Sequence, residues 1–134
     1  MTDKELMELA YKARESSYSP YSGISVGAAL LCDNGEVFLG ANLENAAFSP
    51  TVCAERVALF SAVFSGKRSF SAIAIVGGKG GEAPSTLFSP CGVCRQALSE
   101  FCNGDMRVIM TDGKALTVKT LSELLPLGFS SDNL

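Results

Sequence analysis

The 134-residue chain contains no histidine and no tryptophan. Without histidine no Ser-His-Asp or Cys-His nucleophile pair can form, and any zinc site must be built from thiolates or carboxylates. No apolar run approaches the roughly 18 residues that a membrane span needs, so no membrane partner is expected. Basic charge is scarce too: 11 Lys and Arg stand against 14 Asp and Glu, a net charge of −3. Affinity for phosphate backbones rests on Lys and Arg, so this balance argues against nucleic acid and fits a small neutral substrate better. The opening Met1-Thr2-Asp3-Lys4-Glu5 has no basic region followed by an apolar stretch, and the expectation is a cytoplasmic protein without a secretory signal.

The composition is that of a folded chain, 47% hydrophobic and 19% charged, and the length corresponds to a single domain over 1–134 with one core. There are five cysteines, Cys32, Cys53, Cys91, Cys94 and Cys102. An odd number without a secretory signal speaks against a disulfide framework and turns attention to metal or redox chemistry.

Thr2 and Glu5 have capping-box spacing, and Leu6, Leu9, Ala10 and Ala13 form a helical stripe after them. Ser16 to Gly23 reads as a loop. Val26 to Cys32 and Val37 to Ala41 are apolar runs separated by Asp33-Asn34-Gly35, a hairpin signal. A helix is expected from about Cys53 to Ser65, then a buried strand at Ala72 to Val76, then a loop rich in glycine from Gly77 to Pro84. Pro90 is expected to open a helix that Gly104 ends. Arg107 to Met110 and Leu116 to Val118 read as short strands, and Thr120 and Glu123 repeat the capping-box spacing before a last short helix that stops before Pro126. This order implies a layered α/β domain, helices on both faces of one mixed sheet of about five strands. Ala72–Val76 and Arg107–Met110, joined through a helix, are expected to be parallel with a right-handed crossover. The last two strands are too close in sequence for a crossover and are expected to form an antiparallel hairpin.

Three cysteines fall at predicted helix starts. Cys91 and Cys94, in Ser89-Pro90-Cys91-Gly92-Val93-Cys94-Arg95-Gln96, share one face of a first turn, and Cys53 opens the other long helix. Amides at a helix N-terminus lower a thiol pKa and favour the thiolate that a metal requires. If the two helix starts lie level, three thiolates converge, leaving a fourth zinc position open for water as catalytic sites do. Glu55, two residues after Cys53, is placed to move protons beside such a position. Zinc with three thiolates is net negative, and Arg56 and Arg95 lie near enough in sequence to donate to the sulfurs. Two other readings of the cysteines stand beside this one. Cys32 or Cys102 would complete a structural four-cysteine site, and Cys91-Gly92-Val93-Cys94 alone has the spacing of a dithiol redox pair.

Cys53-Ala54-Glu55 followed by Pro90-Cys91-Gly92-Val93-Cys94 matches the pattern already described for zinc deaminases, a His or Cys, any residue and Glu, then Pro-Cys-x-x-Cys. Nearly the whole chain resembles the small homotetrameric cytidine deaminases, through Tyr18-Ser19-Pro20-Tyr21-Ser22, Val26-Gly27-Ala28-Ala29-Leu30-Leu31, Gly40-Ala41-Asn42-Leu43-Glu44-Asn45-Ala46, Cys53-Ala54-Glu55-Arg56, the Ser89–Gln96 segment and Glu123-Leu124-Leu125-Pro126. The resemblance implies a three-layer α/β/α fold and hydrolytic deamination of cytidine and 2′-deoxycytidine in pyrimidine salvage. It implies one Zn2+ per subunit on Cys53, Cys91 and Cys94, with Glu55 as the proton shuttle and Arg56 offsetting thiolate charge. Asn42-Leu43-Glu44 would meet the ribose, chiefly its 3′-hydroxyl, and Phe129 would reach a neighbouring subunit's pyrimidine in a homo-oligomer, a tetramer. Independently, the segment Phe48 to Phe64 carries Phe48, Val52, Val57, Leu59, Phe60, Val63 and Phe64, which cover more than one side of the helix from about Cys53, so one side is a candidate interface. The chain departs from the family at Ile24, where an aromatic is usual, and at Phe48, where many members carry Tyr; both bear on substrate preference. Another small aminated compound, such as a nucleoside antibiotic, is the alternative substrate, and Asn42-Leu43-Glu44 argues against it.

Overall fold

The structure, a computed structural model, describes residues 1–134. Thr2 opens α1 (Asp3–Arg14) with a complete capping box: its Oγ1 accepts from the Glu5 N–H at 3.1 Å, and its own N–H donates to Glu5 Oε2 at 3.3 Å. The hairpin joins β1 (Ile24–Cys32) to β2 (Val37–Ala41) through Gly35 at φ +93°, a conformation that glycine adopts without a Cβ penalty. After α2 (Ala54–Phe64) come β3 (Phe70–Lys79), α3 (Gly92–Phe101), β4 (Arg107–Thr111), β5 (Leu116–Thr120) and α4 (Leu121–Leu124), with one 3-10 turn at Ser131–Asn133. The Thr120–Glu123 capping box forms at α4.

The five strands make one sheet in the order β2-β1-β3-β4-β5. β3 and β4 run parallel, as their helical connection requires, and the other neighbours are antiparallel, including the closing β4–β5 hairpin. Strand alternation sorts the core. Ala72, Ala74 and Val76 face one side and pack with Leu6, Met7 and Ala10 of α1. Ile73 and Ile75 face the other and pack with Ala58 and Leu59 of α2, Leu98 of α3 and Leu121 of α4. Both faces are covered, giving the three layers expected, with α2 and α3 side by side on one of them.

Two boundaries differ from the sequence reading for one reason. β3 runs on through Gly77 and Gly78, and β1 begins at Ile24, because Val26 pairs with Gly77, Ser25 with Gly78 and Ile24 with Lys79. These glycines do not turn the chain. A Cβ on Gly77 would lie 2.4 Å from the Phe88 ring, so the strand stays bare there to let Phe88 cover it. α3 likewise starts two residues after Pro90, with Cys91 as its N-cap, and it ends at Phe101, ahead of Gly104.

Gly40 determines how closely α2 approaches the sheet. A Cβ there would stand 2.3 Å from the Ala54 carbonyl oxygen and 2.5 Å from the Ala58 nitrogen, both backbone atoms of the helix. Because neither can yield without moving α2, Gly40→Ala is expected to destabilise the fold by about 2–3 kcal/mol, read as a lower urea midpoint at unchanged slope.

Candidate active site

Cys53 is the N-cap of α2 and Cys91 the N-cap of α3, both with extended backbone, and neither spends its side chain on capping. Their sulfurs are left to face one another at 3.9 Å. Cys94, one turn into α3 and fully buried, brings a third, and all three sulfurs lie within 4.8 Å of one another. Tetrahedral zinc with Zn–S bonds of about 2.3 Å requires sulfurs about 3.8 Å apart, so this donor set fits that ion with little adjustment. Cys32 packs in the core and Cys102 is the residue that ends α3, opposite the end that carries Cys91. Neither joins the cluster, and the four-cysteine alternative is not met.

The electrostatics suit an anionic cluster. The neighbouring Cys94 thiol and the Arg56 guanidinium hold the Cys53 thiol down at about 5. The neighbouring Cys53 and burial push Cys94 upward. Arg56 donates to Cys53 Sγ at 3.5 Å. Arg95, also expected at the sulfurs, is elsewhere: it donates to the carbonyls of Pro90 at 2.7 Å and Leu124 at 2.8 Å, and to Ser89 Oγ at 3.3 Å. The geometry explains the difference. At position 95 the side chain leaves α3 toward α4 and ties the two helices together, whereas position 56 of α2 faces the cluster.

Beside the sulfurs opens a cavity of about 320 Å³ lined by Ser22, Ile24, Val26, Asn42, Glu44, Thr51, Val52, Cys53, Ala54, Glu55, Ile75, Phe88, Ser89 and Cys91. Glu55 is 4% exposed, and burial raises its carboxyl to about 7, with the Cys53 charge adding to the effect. A carboxyl poised there holds or releases a proton near neutrality.

Asn42 and Glu44 meet the cavity through side chains whose other hydrogen bonds are occupied. Asn42 Oδ1 accepts from the Val26 N–H at 2.9 Å and from Ser17 Oγ at 2.5 Å, and its Nδ2 donates to the Ile24 carbonyl at 2.8 Å. Glu44 Oε1 accepts from the Tyr21 and Ser22 N–H groups at 3.0 and 3.1 Å, and Oε2 accepts from Ser22 Oγ. These bonds, Ser22 foremost, hold the Glu44 carboxyl below its usual range and keep it charged. Counting donors and lone pairs, the pair has one N–H on Asn42 and one acceptor site on Glu44 Oε2 left to offer. A hydroxyl, which accepts one hydrogen bond and donates one, fits that pair.

Leu43, between them, points elsewhere: its backbone bridges Tyr18 and Val52, and its side chain lines a separate hollow with Leu39 and Val57. Phe48 packs edge-on against Tyr21, ring centroids 6.0 Å apart, in an adjoining hollow that shares Ser22, Glu44 and Thr51 with the main cavity. Phe129 is 58% exposed and does not line its own chain's cavity; its carbonyl accepts from Gln96 Nε2 at 3.0 Å. Sequence reasoning missed Phe88 and Val26 in the wall. Phe88 carried a signal, standing just ahead of Ser89-Pro90-Cys91, but an aromatic before a proline reads equally well as core.

Residues 1–111 match the family model of the cytidine and deoxycytidylate deaminase zinc-binding region. The chain is 47% identical over 135 residues to a cytidine deaminase from Sporosarcina psychrophila, covering all of this chain and 96% of that protein. It is 42% identical to a cytidine deaminase from Halalkalibacterium halodurans, again over its whole length and 98% of the relative's. Its fold superposes on the crystal structure of cytidine deaminase from Burkholderia pseudomallei with a TM-score of 0.87 at 43% identity, covering 96% of this chain and 100% of that one. With three sulfurs spaced for zinc and a buried glutamate beside them, the chain belongs to the cytidine and deoxycytidylate deaminase family.

Proposed function

We infer that this protein is a zinc-dependent cytidine deaminase, with residues 1–134 acting as one domain. It converts cytidine and 2′-deoxycytidine, with water, to uridine and 2′-deoxyuridine and ammonia. The observation that carries the reading is Glu55: a buried carboxyl, pKa raised to about 7, in the wall of a cavity shared with Cys53 and Cys91. Zinc on Cys53, Cys91 and Cys94 supplies a Lewis acid that makes water nucleophilic near neutral pH. The protein's own part is proton traffic and placement. Glu55 takes a proton from the attacking water and gives it to N3 of the base as C4 is attacked; it then takes the proton of the new C4 hydroxyl and passes it to the 4-amino group, so that the C4 carbonyl forms as ammonia leaves. Arg56, donating to Cys53 Sγ, offsets the excess charge of three thiolates. Asn42 and Glu44 hold a ribose hydroxyl between one donor and one acceptor.

The lining supports a nucleoside over its phosphate. The cavity and the adjoining hollow contain no lysine or arginine, and their acidic side chains are Glu44, Glu55 and the lowered Cys53 thiol. A 5′-phosphate would meet negative charge with no cation to pair it. Salvage of pyrimidines in the cytoplasm is the setting that fits; no helix is long and apolar enough to cross a membrane. Phe60 is 48% exposed and Phe64 94% on the outer side of α2, and Phe129 is left uncovered in the C-terminal tail. These rings support assembly into a homo-oligomer, a tetramer, in which Phe129 completes a neighbour's pocket.

Glu55→Gln is expected to lower turnover of cytidine by about 10²–10⁴-fold while zinc content stays near one per chain; full activity on the ultraviolet assay overturns the mechanism, and insulin reduction by a zinc-free protein would favour the dithiol reading. Arg56→Ala is expected to cost about 10–100-fold in activity and to loosen zinc, measured by competition with a chelator. For the shared site, Phe129→Ala and Glu55→Ala chains are co-expressed. Activity above the sum of the separate variants is expected, because mixed assemblies then contain sites with an intact Glu55 and a Phe129 from the other chain.

A further inference from the structure

We propose that Ser17, outside the substrate cavity, is a positioning residue that sets the strength with which Asn42 grips a sugar hydroxyl; the inference rests on the nucleoside reading of the site. Ser17 follows α1 in the loop toward β1 and does not line the main cavity. Its hydroxyl donates to Asn42 Oδ1 at 2.5 Å. Behind it Ser19 Oγ stands 3.2 Å away, and Ser19 in turn lies 3.4 Å from Ser25 Oγ. Ser17 thus has one proton and two acceptors within reach, and the shorter bond commits that proton to Asn42.

The orientation of the amide is already determined by backbone: Val26 N–H on Oδ1 and the Ile24 carbonyl on Nδ2. Ser17 adds something else. It fills the second lone pair of Oδ1, so a group with a proton to give cannot bind there, and the amide meets the cavity as donor only. Donation to Oδ1 also polarises the amide and strengthens the one N–H left on Nδ2, as bonds in a chain reinforce each other. Asn42 is buried, so loss of the Ser17 bond leaves its oxygen short of a partner that bulk solvent cannot readily replace. Glu44 is held independently, by Tyr21 and Ser22, and takes no part in these bonds.

The test compares wild type, Ser17→Ala and Ser17→Thr on cytidine and on its 2′-, 3′- and 5′-deoxy analogues. For Ser17→Ala, KM for cytidine is expected to rise about 3–10-fold at unchanged kcat, the scale of one neutral hydrogen bond. With the analogue lacking the hydroxyl that Asn42 and Glu44 hold, KM is expected to be the same in wild type and variant, and Ser17→Thr, which keeps the hydroxyl, is expected to restore the cytidine value. A purely structural serine would lower the active fraction alike for every substrate. Equal KM ratios across all four substrates, or no change at all, overturn the proposal. A wild-type protein that leaves cytidine unchanged would instead overturn the nucleoside reading.

Discussion

The pocket depends on one juxtaposition: the N-caps of α2 and α3 lie side by side, so that Cys53 and Cys91, 38 residues apart, bring their sulfurs to 3.9 Å. Both helix starts place partial positive charge at the same point, which favours thiolates there. Cys94 then needs only the first turn of α3 to join them. The carboxyl of Glu55 follows because Ala54–Glu55 opens the same helix turn that Cys53 caps. The site is therefore a property of how two helices seat on one sheet face.

That seating has its own causes. Gly40 removes the Cβ that would hold α2 off β2, and the alternation of Ile73 and Ile75 against Ala72, Ala74 and Val76 gives the sheet a bulky face for α2 and α3 and a shallow one for α1. Arg95 locks α3 to α4 through the Leu124 carbonyl. A residue that the spacing suggested for the sulfurs thus stabilises the scaffold, while Arg56 alone of the two approaches the thiolates.

On the sugar side the design is subtractive. Asn42 and Glu44 spend most of their hydrogen-bonding capacity on β1 and the Tyr21–Ser22 loop, and what is left over matches a hydroxyl. Ionised Glu44 without a nearby cation in the lining gives the same cavity a bias toward neutral substrates. Rigid placement comes from the bonds already made, so little ordering remains when a ligand binds.

Local signals carried far. The capping boxes at Thr2 and Thr120, the Asn34-Gly35 turn, the parallel β3–β4 pair and the β4–β5 hairpin were legible because each depends on neighbours in sequence or on the minimum length of a crossover. The Cys53, Glu55, Cys91 and Cys94 constellation was legible too, since absent histidine left few other ligands and helix starts are read from local residues. What resisted were decisions made across the sheet. Gly77 and Gly78 look like turn residues until Phe88 and β1 are set against them. Arg95 and Arg56 are equally near the cysteines in sequence, and only the direction each leaves its helix separates them. Ser17 and Phe88 are ordinary loop residues and Val26 an ordinary strand residue until Asn42 and the cavity are brought to them. The chain alone determined which chemical groups were available and which helix turns would present them. Tertiary structure decided which of those groups touch, because contact between residues distant in sequence is set by the packing of α2 and α3 on the sheet and not by any local preference.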